Sequence, residues 1–126
     1  MKRVFVSFLA IVASAAIAFG PMSVAQLAKE VDKHDGKKVT VVGVVDKFEQ
    51  RTSRAGNPYF TAVLLDKSDK KVDVNVYSRG KAAKELKKGD IVEITGDYRK
   101  EKKLGKLTFK NEIETKPELI KILSTK

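Results

Sequence analysis

The sequence predicts an all-β domain with short helices, in which five strands form a Greek-key barrel. Five segments alternate apolar and polar residues with a period of two, which is typical of strands that bury one face. Gly43 interrupts the first and longest of these segments, as expected where a strand bends sharply. A helix-like segment separates the third strand from the fourth. An open α+β sheet is the alternative, but it accounts less directly for a glycine in the middle of a strand.

The first 18 residues have the composition of a secretory signal peptide. A basic start, Met1–Arg3, precedes the apolar run Val4–Ala18, which is short and alanine-rich for a membrane span. Ala16–Ala18 matches the small-x-small cleavage pattern and Ser23–Ala25 is a second candidate, so we expect cleavage after residue 18 or alternatively after residue 25. The mature protein is then periplasmic or secreted, with no stable membrane span after cleavage. An uncleaved anchor is the alternative.

Residues 19–36 form a predicted N-terminal helix segment. Ser23 and Gln26 have the spacing of a capping box, in which each side chain accepts a hydrogen bond from the backbone N–H of the other residue. Apolar residues then recur at helical spacing, namely Val24, Leu27, Ala28 and Val31. Asp35–Gly36 ends the segment, because glycine readily takes the left-handed conformation found after a helix.

The barrel domain is assigned to residues 37–126. Its five predicted strands are, in order, KKVTVVGVVDKF, YFTAVLLD, KVDVNVY, DIVEITGDYRK and KLTFKNEIE. The segment GKAAKELKKGD is a predicted short helix between the third and fourth strands, and a turn at Lys102–Gly105 joins the last two. The tail KPELIKIL adds a helical turn that packs its leucine and isoleucines on the core. This order of elements is the layout of the OB-fold.

Four of these segments also resemble a known family. VTVVGVV, YFTAVLLD, VDVNVY and LKKGDIVEITGDY resemble the strand signatures of bacterial OB-fold domains of the nucleic-acid-binding superfamily, from about Ser23 to Ile113. The motif GD-x-V-x-I-x-G marks a tight turn and a core face, not a ligand. The chain is similar as well to the small periplasmic, stress-associated OB-fold proteins, whose ligands are not implied to be nucleic acids. Its basic balance favours the first resemblance.

The charge of the chain indicates the class of partner. It has 26 Lys and Arg against 16 Asp and Glu, a formal net charge of +10, and loss of residues 1–18 removes Lys2 and Arg3, which leaves +8. Such a charge attracts polyanions: nucleic acid, an anionic lipid surface or an acidic polysaccharide. The lysines are spread widely, however, so their positions carry more information than their number.

Catalytic and metal chemistry are not expected. The chain has no cysteine and one histidine, His34, which sits at a predicted helix end where it complements the helix dipole. It therefore has few of the usual ligands for zinc or iron, and no cofactor is predicted. No Ser-His-Asp or Cys-His group is recognisable, and no pair of acids is distinctively placed, so the protein is predicted not to be an enzyme.

The outer surface of the second and third strands is the expected ligand face, since OB-folds bind ligands there. If Phe60, Ala62 and Leu64 fill the core, the opposite face carries the remaining polar and aromatic side chains: Tyr59, Thr61, Asn75 and Tyr77. Phe48, at the end of the first strand, joins them unless a bulge reverses its direction. Exposed aromatic rings stack nucleobases, at roughly 1–3 kcal/mol per contact. The alternative is that the tyrosines cover the mouth of the barrel without any ligand.

Two basic loops flank that face. The first, KFEQRTSRAGNP, contains Lys47, Arg51 and Arg54, and the second, YRKEKKLGK, contains Arg99, Lys100, Lys102, Lys103 and Lys106. Arginine beside an aromatic ring suits both phosphate contact and base stacking. Against this, lysine-rich loop tips are often only solvated, and Asp46 and Asp73 would repel phosphate if they faced the groove. The candidate nucleic-acid-binding residues are Phe48, Arg51, Arg54, Tyr59, Thr61, Asn75, Tyr77, Arg99, Lys100, Lys102, Lys103 and Lys106.

The leading hypothesis is an exported OB-fold protein that binds single-stranded nucleic acid, or another polyanion, without sequence specificity. One alternative is a periplasmic OB-fold stress or ligand-binding protein whose groove takes a small or saccharide ligand. The other is a basic protein-interaction module that docks on an acidic protein partner.

Overall fold

The computed structural model describes residues 20–125. The predicted signal peptide and its first cleavage site, after residue 18, lie outside the described residues. Within residues 20–125, no helix is long and apolar enough to cross a membrane.

Seven strands and two short helices make up the described chain. The strands are β1 (Met22–Ser23), β2 (Lys38–Thr52), β3 (Pro58–Leu65), β4 (Asp73–Arg79), β5 (Ile91–Leu104), β6 (Leu107–Thr115) and β7 (Ile120–Ser124). The helices are α1 (Val24–Lys29) and α2 (Val31–His34), and a 3-10 turn spans Pro117–Leu119.

The strands form one mixed sheet that closes on itself. β2 pairs antiparallel with β3 on one side and with β5 on the other, and β3 pairs antiparallel with β4. β6 closes the ring, because it pairs in parallel with β4 and antiparallel with β5. β1 extends the sheet along β2, and β7 extends it along β5. The ring β2–β3–β4–β6–β5 gives an OB-like fold, with seven strands in the sheet instead of the five expected.

The irregularity in β2 lies three residues beyond its predicted position. The pairing register with β3 shifts between Val45 and Lys47, which leaves Asp46 as the extra residue of a β-bulge. Gly43 has a different role, because a Cβ atom there would lie 3.0 Å from Leu65 O and 3.0 Å from Val24 Cγ2. The glycine therefore allows α1 to pack closely on the barrel.

The predicted helix between the third and fourth strands is absent. Residues 80–90 connect β4 to β5 without a helix, and among them Leu86 is the side chain that inserts into the core. α1 covers part of the core instead, since Val24 and Leu27 are fully buried and α1 packs on β2 and β4. Residues 82–86 lie beside Ile120 and Ile122 of β7.

The N-terminal helix segment is divided into α1 and α2. Ser23 Oγ accepts a hydrogen bond from Gln26 N at 3.0 Å, so this residue caps the helix as predicted. Glu30, between the helices, has non-helical dihedral angles, and its carboxylate lies 3.0 Å from His34 Nε2. That hydrogen bond lowers the pKa of Glu30.

The C-terminal tail is predicted to be helical, but the second half of it forms a strand. Residues 117–119 form a 3-10 turn, and the following residues pair as β7 with β5 instead of continuing a helix. Ile120 and Ile122 pack against the core as expected, but through a strand. Leu119 and Leu123 are exposed, so the expected packing of the leucines is wrong.

Asp66 joins the end of β3 to α1. Its buried carboxylate accepts hydrogen bonds from Ala25 N through Oδ1 at 2.9 Å, and from Ser68 N and Asp69 N through Oδ2 at 2.9 and 3.0 Å. The hydrogen bond from Ala25 is the main reason that the pKa of Asp66 lies below its ordinary value of 3.8. The charged form of this side chain is thus part of the folded structure.

We predict that Asp66→Asn lowers the free energy of unfolding at pH 7 by about 1–3 kcal/mol, because a charged acceptor is lost from three hydrogen bonds. Since the folded pKa is depressed, the wild-type advantage is present above the unfolded pKa and disappears as the pH falls through the folded pKa. Urea denaturation at neutral and acidic pH measures both effects. Asp97→Asn, at an exposed position, is the control and should change stability by less than about 0.5 kcal/mol. An Asp66→Asn deficit of equal size at both pH values would contradict this role.

Candidate nucleic-acid interface

The bulge at Asp46 determines which side chains of β2 face outward. Before it, Val39, Val41 and Val45 point into the core; beyond it, the inward positions shift to even numbers. The outward residues of β2 then align across β3 with those of β4. The three aligned rows are Lys47–Val63–Asn75, Glu49–Thr61–Tyr77 and Arg51–Tyr59–Arg79.

Two tyrosines form an aromatic pair on this outer face. The ring centroids of Tyr59 and Tyr77 are 5.7 Å apart and the planes are tilted by 33°. Both rings are half-buried, which leaves part of each face open to a ligand. Thr61 lies opposite Tyr77 in the pairing register, and Asn75 is held by a hydrogen bond from its Nδ2 to Lys110 O at 3.1 Å.

Phe48 does not belong to this surface. It pairs with Ala62, a core residue, and its ring lies 5.4 Å from the buried ring of Phe60. The bulge is the physical reason, because the extra residue at Asp46 turns Phe48 inward. The expectation that Phe48 contributes to the ligand face is therefore wrong.

A groove of about 1010 Å³ runs over the aromatic pair. Seven of the twelve predicted residues line it: Arg51, Arg54, Tyr59, Thr61, Asn75, Tyr77 and Lys102. Asp46 and Asp73 do not, and Asp46 lies instead 3.8 Å from Lys88 Nζ. The repulsion expected from these two aspartates is thus absent from the groove.

Most of the predicted second basic loop belongs to strand β5 in the structure. β5 continues to Leu104, and a tight turn at Gly105–Lys106, with φ of 61° at the glycine, leads directly into β6. Because side chains of a strand alternate between faces, Lys102 and Leu104 line the groove while Lys103 leaves from the opposite face. Lys106 occupies the turn and also lies outside the groove. The prediction that all these lysines converge is wrong for this reason.

Arg99 and Lys100 are likewise outside the groove. Lys100 is turned toward α2, where its Nζ lies 2.9 Å from Asp32 Oδ1 and its backbone N donates to Asp35 Oδ1 at 2.8 Å. The hydrogen bond with Asp32 raises the pKa of Lys100. Arg99 is exposed and pairs across the strands with Glu112.

Asn111 fixes the β5–β6 hairpin where it leaves the barrel. Its φ is 53°, its Oδ1 accepts a hydrogen bond from the buried Tyr98 Oη at 2.7 Å, and its Nδ2 donates to Asp73 O at 2.8 Å. Burial is the main cause that raises the pKa of Tyr98. The hairpin is therefore attached to both β4 and the core, and its groove-facing residues have a defined position.

The hairpin adds residues that were not predicted. Leu104, Leu107 and Phe109 are exposed by 56%, 62% and 37% and line one side of the groove, which we call the apolar wall. Leu107 and Phe109 alternate with polar residues in KLTFKNEIE, so a period-two reading of the fifth strand could have identified them. The groove is also lined by Arg79, Lys110, Glu49, Glu112 and Glu114.

Lys102 lines the groove and forms a charged triad with Glu112 and Glu114. Its Nζ lies 3.5 Å from Glu112 Oε1 and 3.4 Å from Glu114 Oε1, and 20% of its side chain is exposed. The same ammonium is 5.4 Å from the ring centre of Tyr77 and 5.9 Å from that of Phe109. This position favours a cation–π interaction with both rings. Lys102 is thus held by two carboxylates and two aromatic faces.

The remaining charges of the groove are mainly positive. Its lining contains six cations and three carboxylates, and Arg51 Nη2 pairs with Glu49 Oε1 at 2.9 Å. In residues 20–125, the other four cations form no ion pair: Lys47, Arg54, Arg79 and Lys110. Cations without a protein partner are available to an anionic ligand. No group of three or more potential metal ligands of the His, Cys, Asp or Glu type occurs in the same part of the chain.

Solved structures provide the similarities to known proteins. A proposed nucleic acid-binding lipoprotein of Klebsiella pneumoniae superposes with a TM-score of 0.55 and 19% identity, over 88% of this chain and 97% of that one. A proposed aspartyl-tRNA synthetase of Leishmania major gives a TM-score of 0.57 and 17% identity over 86% of this chain. This chain spans only 21% of the length of that synthetase. At such identities the likeness extends to the fold alone.

A weaker similarity involves the second OB-fold domain of replication protein A from Methanococcus maripaludis. Its TM-score is 0.42 and its identity 21%, over 73% of this chain and 89% of that domain, which is too low to establish a common fold. No family model and no curated protein matches the sequence. The assignment of an OB-like fold to this chain therefore rests on the pairing of its strands.

We predict that Lys102→Met lowers the free energy of unfolding by about 1–3 kcal/mol at pH 7, because Glu112 is then left buried beside Glu114 without a cation. Adding Glu112→Gln should recover part of this loss, and urea denaturation of the four forms measures the coupling. Lys121→Met is the matched control, because Lys121 is exposed and its Nζ lies as far as 3.9 Å from Glu93 Oε2. This substitution should lower the free energy of unfolding by less than about 1 kcal/mol. Strict additivity of the two substitutions would show that the triad does not act as a unit.

Proposed function

We propose that this protein is an exported OB-fold protein that binds single-stranded nucleic acid non-specifically in the groove over β3 and β4. The observation that carries the proposal is that one groove contains two adjacent tyrosine rings and four cations that form no ion pair within residues 20–125. Rings supply base stacking, which tolerates any sequence, and cations supply phosphate attraction. In this proposal the protein binds and performs no reaction.

The arrangement of charges supports a bound strand with a defined orientation. Lys47, Arg54 and Arg79 line the groove on the side of β2, β3 and β4, whereas the triad of Lys102 lies on β5 and β6 beside Tyr77. Phosphates would follow the unpaired cations, and bases would lie on the tyrosines with the apolar wall beside them. Free phosphate would contact the cations but would leave both tyrosine rings and the apolar wall without a ligand contact.

Two further observations support export. The chain begins with the predicted signal peptide of residues 1–18, and a protein of similar length and fold is described as a nucleic acid-binding lipoprotein. We therefore place the protein in the periplasm or outside the cell. Fractionation of cells that express the full chain tests this location.

We predict that labelled oligothymidylate binds at low salt, with a log–log salt slope of about −3 if the four unpaired cations each neutralise one phosphate. Tyr59→Ala and Tyr77→Ala should each weaken binding by about 1–3 kcal/mol, because a stacking surface is lost. Tyr77→Phe is the matched control and should bind like the wild type, since the ring remains. Fluorescence anisotropy measures all of these constants.

Three results would contradict the proposal. They are absence of binding at low salt, equal binding of heparin with no effect of either tyrosine, and saturable binding of a neutral saccharide at the same residues. The second result would indicate general charge attraction, as for docking on an acidic protein, and the third would indicate a saccharide-binding role.

A further inference from the structure

The groove contains a local excess of negative charge that a general phosphate-binding surface does not need. The charged triad has one ammonium, on Lys102, against the two carboxylates of Glu112 and Glu114. The side chain of Glu112 is 11% exposed and that of Glu114 is 41% exposed, so Glu114 is the acceptor that a ligand can reach. An ionised carboxylate accepts hydrogen bonds and donates none. A ligand group that bonds to Glu114 must therefore provide hydrogen-bond donors, which on a nucleobase are N–H groups.

Glu114 is placed where the edge of a stacked base would lie. In the parallel pairing of β4 with β6, Glu114 is the direct partner of Tyr77, and both side chains line the groove. Neighbouring strands are only about 5 Å apart. Lys102 Nζ lies 3.4 Å from Glu114 Oε1, so the hydrogen-bonding edge of a base on the ring of Tyr77 can contact both side chains.

We propose that Glu114 and Lys102 make the groove prefer guanine to thymine, an inference that rests on the proposed binding of single-stranded nucleic acid. The Watson–Crick edge of guanine has two adjacent donors, N1–H and the N2 amine, next to the acceptor O6. The carboxylate of Glu114 accepts from both donors, and the ammonium of Lys102 donates to O6. Thymine has a single donor between two carbonyl oxygens, and a carbonyl facing the carboxylate is repelled.

The resting position of Lys102 favours the same base. Its ammonium lies over the ring of Tyr77 at 5.4 Å, so a stacking base must displace it from that face. Guanine O6 offers the displaced ammonium a new acceptor, while the N1–H and N2 amine of the base donate to the carboxylate of Glu114. Adenine and cytosine each present one amine beside a ring acceptor and should rank between guanine and thymine.

The test compares three short oligonucleotides by fluorescence anisotropy at low salt: all thymine, thymine with guanine at alternate positions, and the same with inosine in place of guanine. Wild-type protein should bind the guanine form at least about fivefold more tightly than the thymine form. Inosine lacks the N2 amine and should lose most of this difference.

Glu114→Gln should bring the ratio of guanine to thymine affinity close to one while thymine binding becomes tighter, because a charge that repels phosphate is removed. Glu85→Gln, at an exposed position outside the groove, is the matched control and should keep the wild-type ratio. Equal binding of guanine and thymine forms by wild-type protein, or an unchanged ratio in Glu114→Gln, overturns this inference and leaves the proposed function intact. No binding of any oligonucleotide overturns both.

Discussion

The extra residue at Asp46 is the constraint on which the candidate interface depends. Side chains of a strand alternate between its faces, so one inserted residue reverses the assignment of everything beyond it. Without the bulge, Lys47, Glu49 and Arg51 would point into a core made of valine and leucine, and Phe48 would be exposed. With it, the charged residues join the rows of Tyr59 and Tyr77.

The barrel and the hairpin contribute different halves of the groove. β2, β3 and β4 provide the aromatic pair and several cations, and they are rigid because their inner faces are packed in the core. The β5–β6 hairpin extends beyond the barrel, is attached by Asn111, and provides the apolar wall and the triad of Lys102. In the proposed binding mode, Lys47, Arg54 and Arg79 contact phosphates, and the net negative triad beside Tyr77 contacts a base.

The sequence predicts the strands well and the interface in part, for identifiable reasons. Period-two patterns in YFTAVLLD and KVDVNVY correctly separate the buried Phe60 and Val74 from the outward Tyr59 and Tyr77, because alternation is a local property. Residues 80–90 have a helical pattern but form no helix, and α1 covers part of the core instead. The sequence predicts one loop for the lysines that follow Tyr98. β5 instead continues to Leu104, so their side chains alternate between its two faces. Glu114 faces the groove through the parallel pairing of β6 with β4, a long-range contact that no local pattern reveals.

We propose that ligand binding is confined to the outer face of β2, β3 and β4 and to the groove side of the hairpin. A backbone amide NMR titration of the ¹⁵N-labelled chain with oligothymidylate at low salt tests this directly. We expect shift changes concentrated in Lys47–Thr52, Tyr59–Val63, Asn75–Arg79 and the groove-facing residues of the hairpin, with little change in residues 80–90 or α2. Changes centred on those last segments, or spread evenly over all exposed lysines, would contradict it.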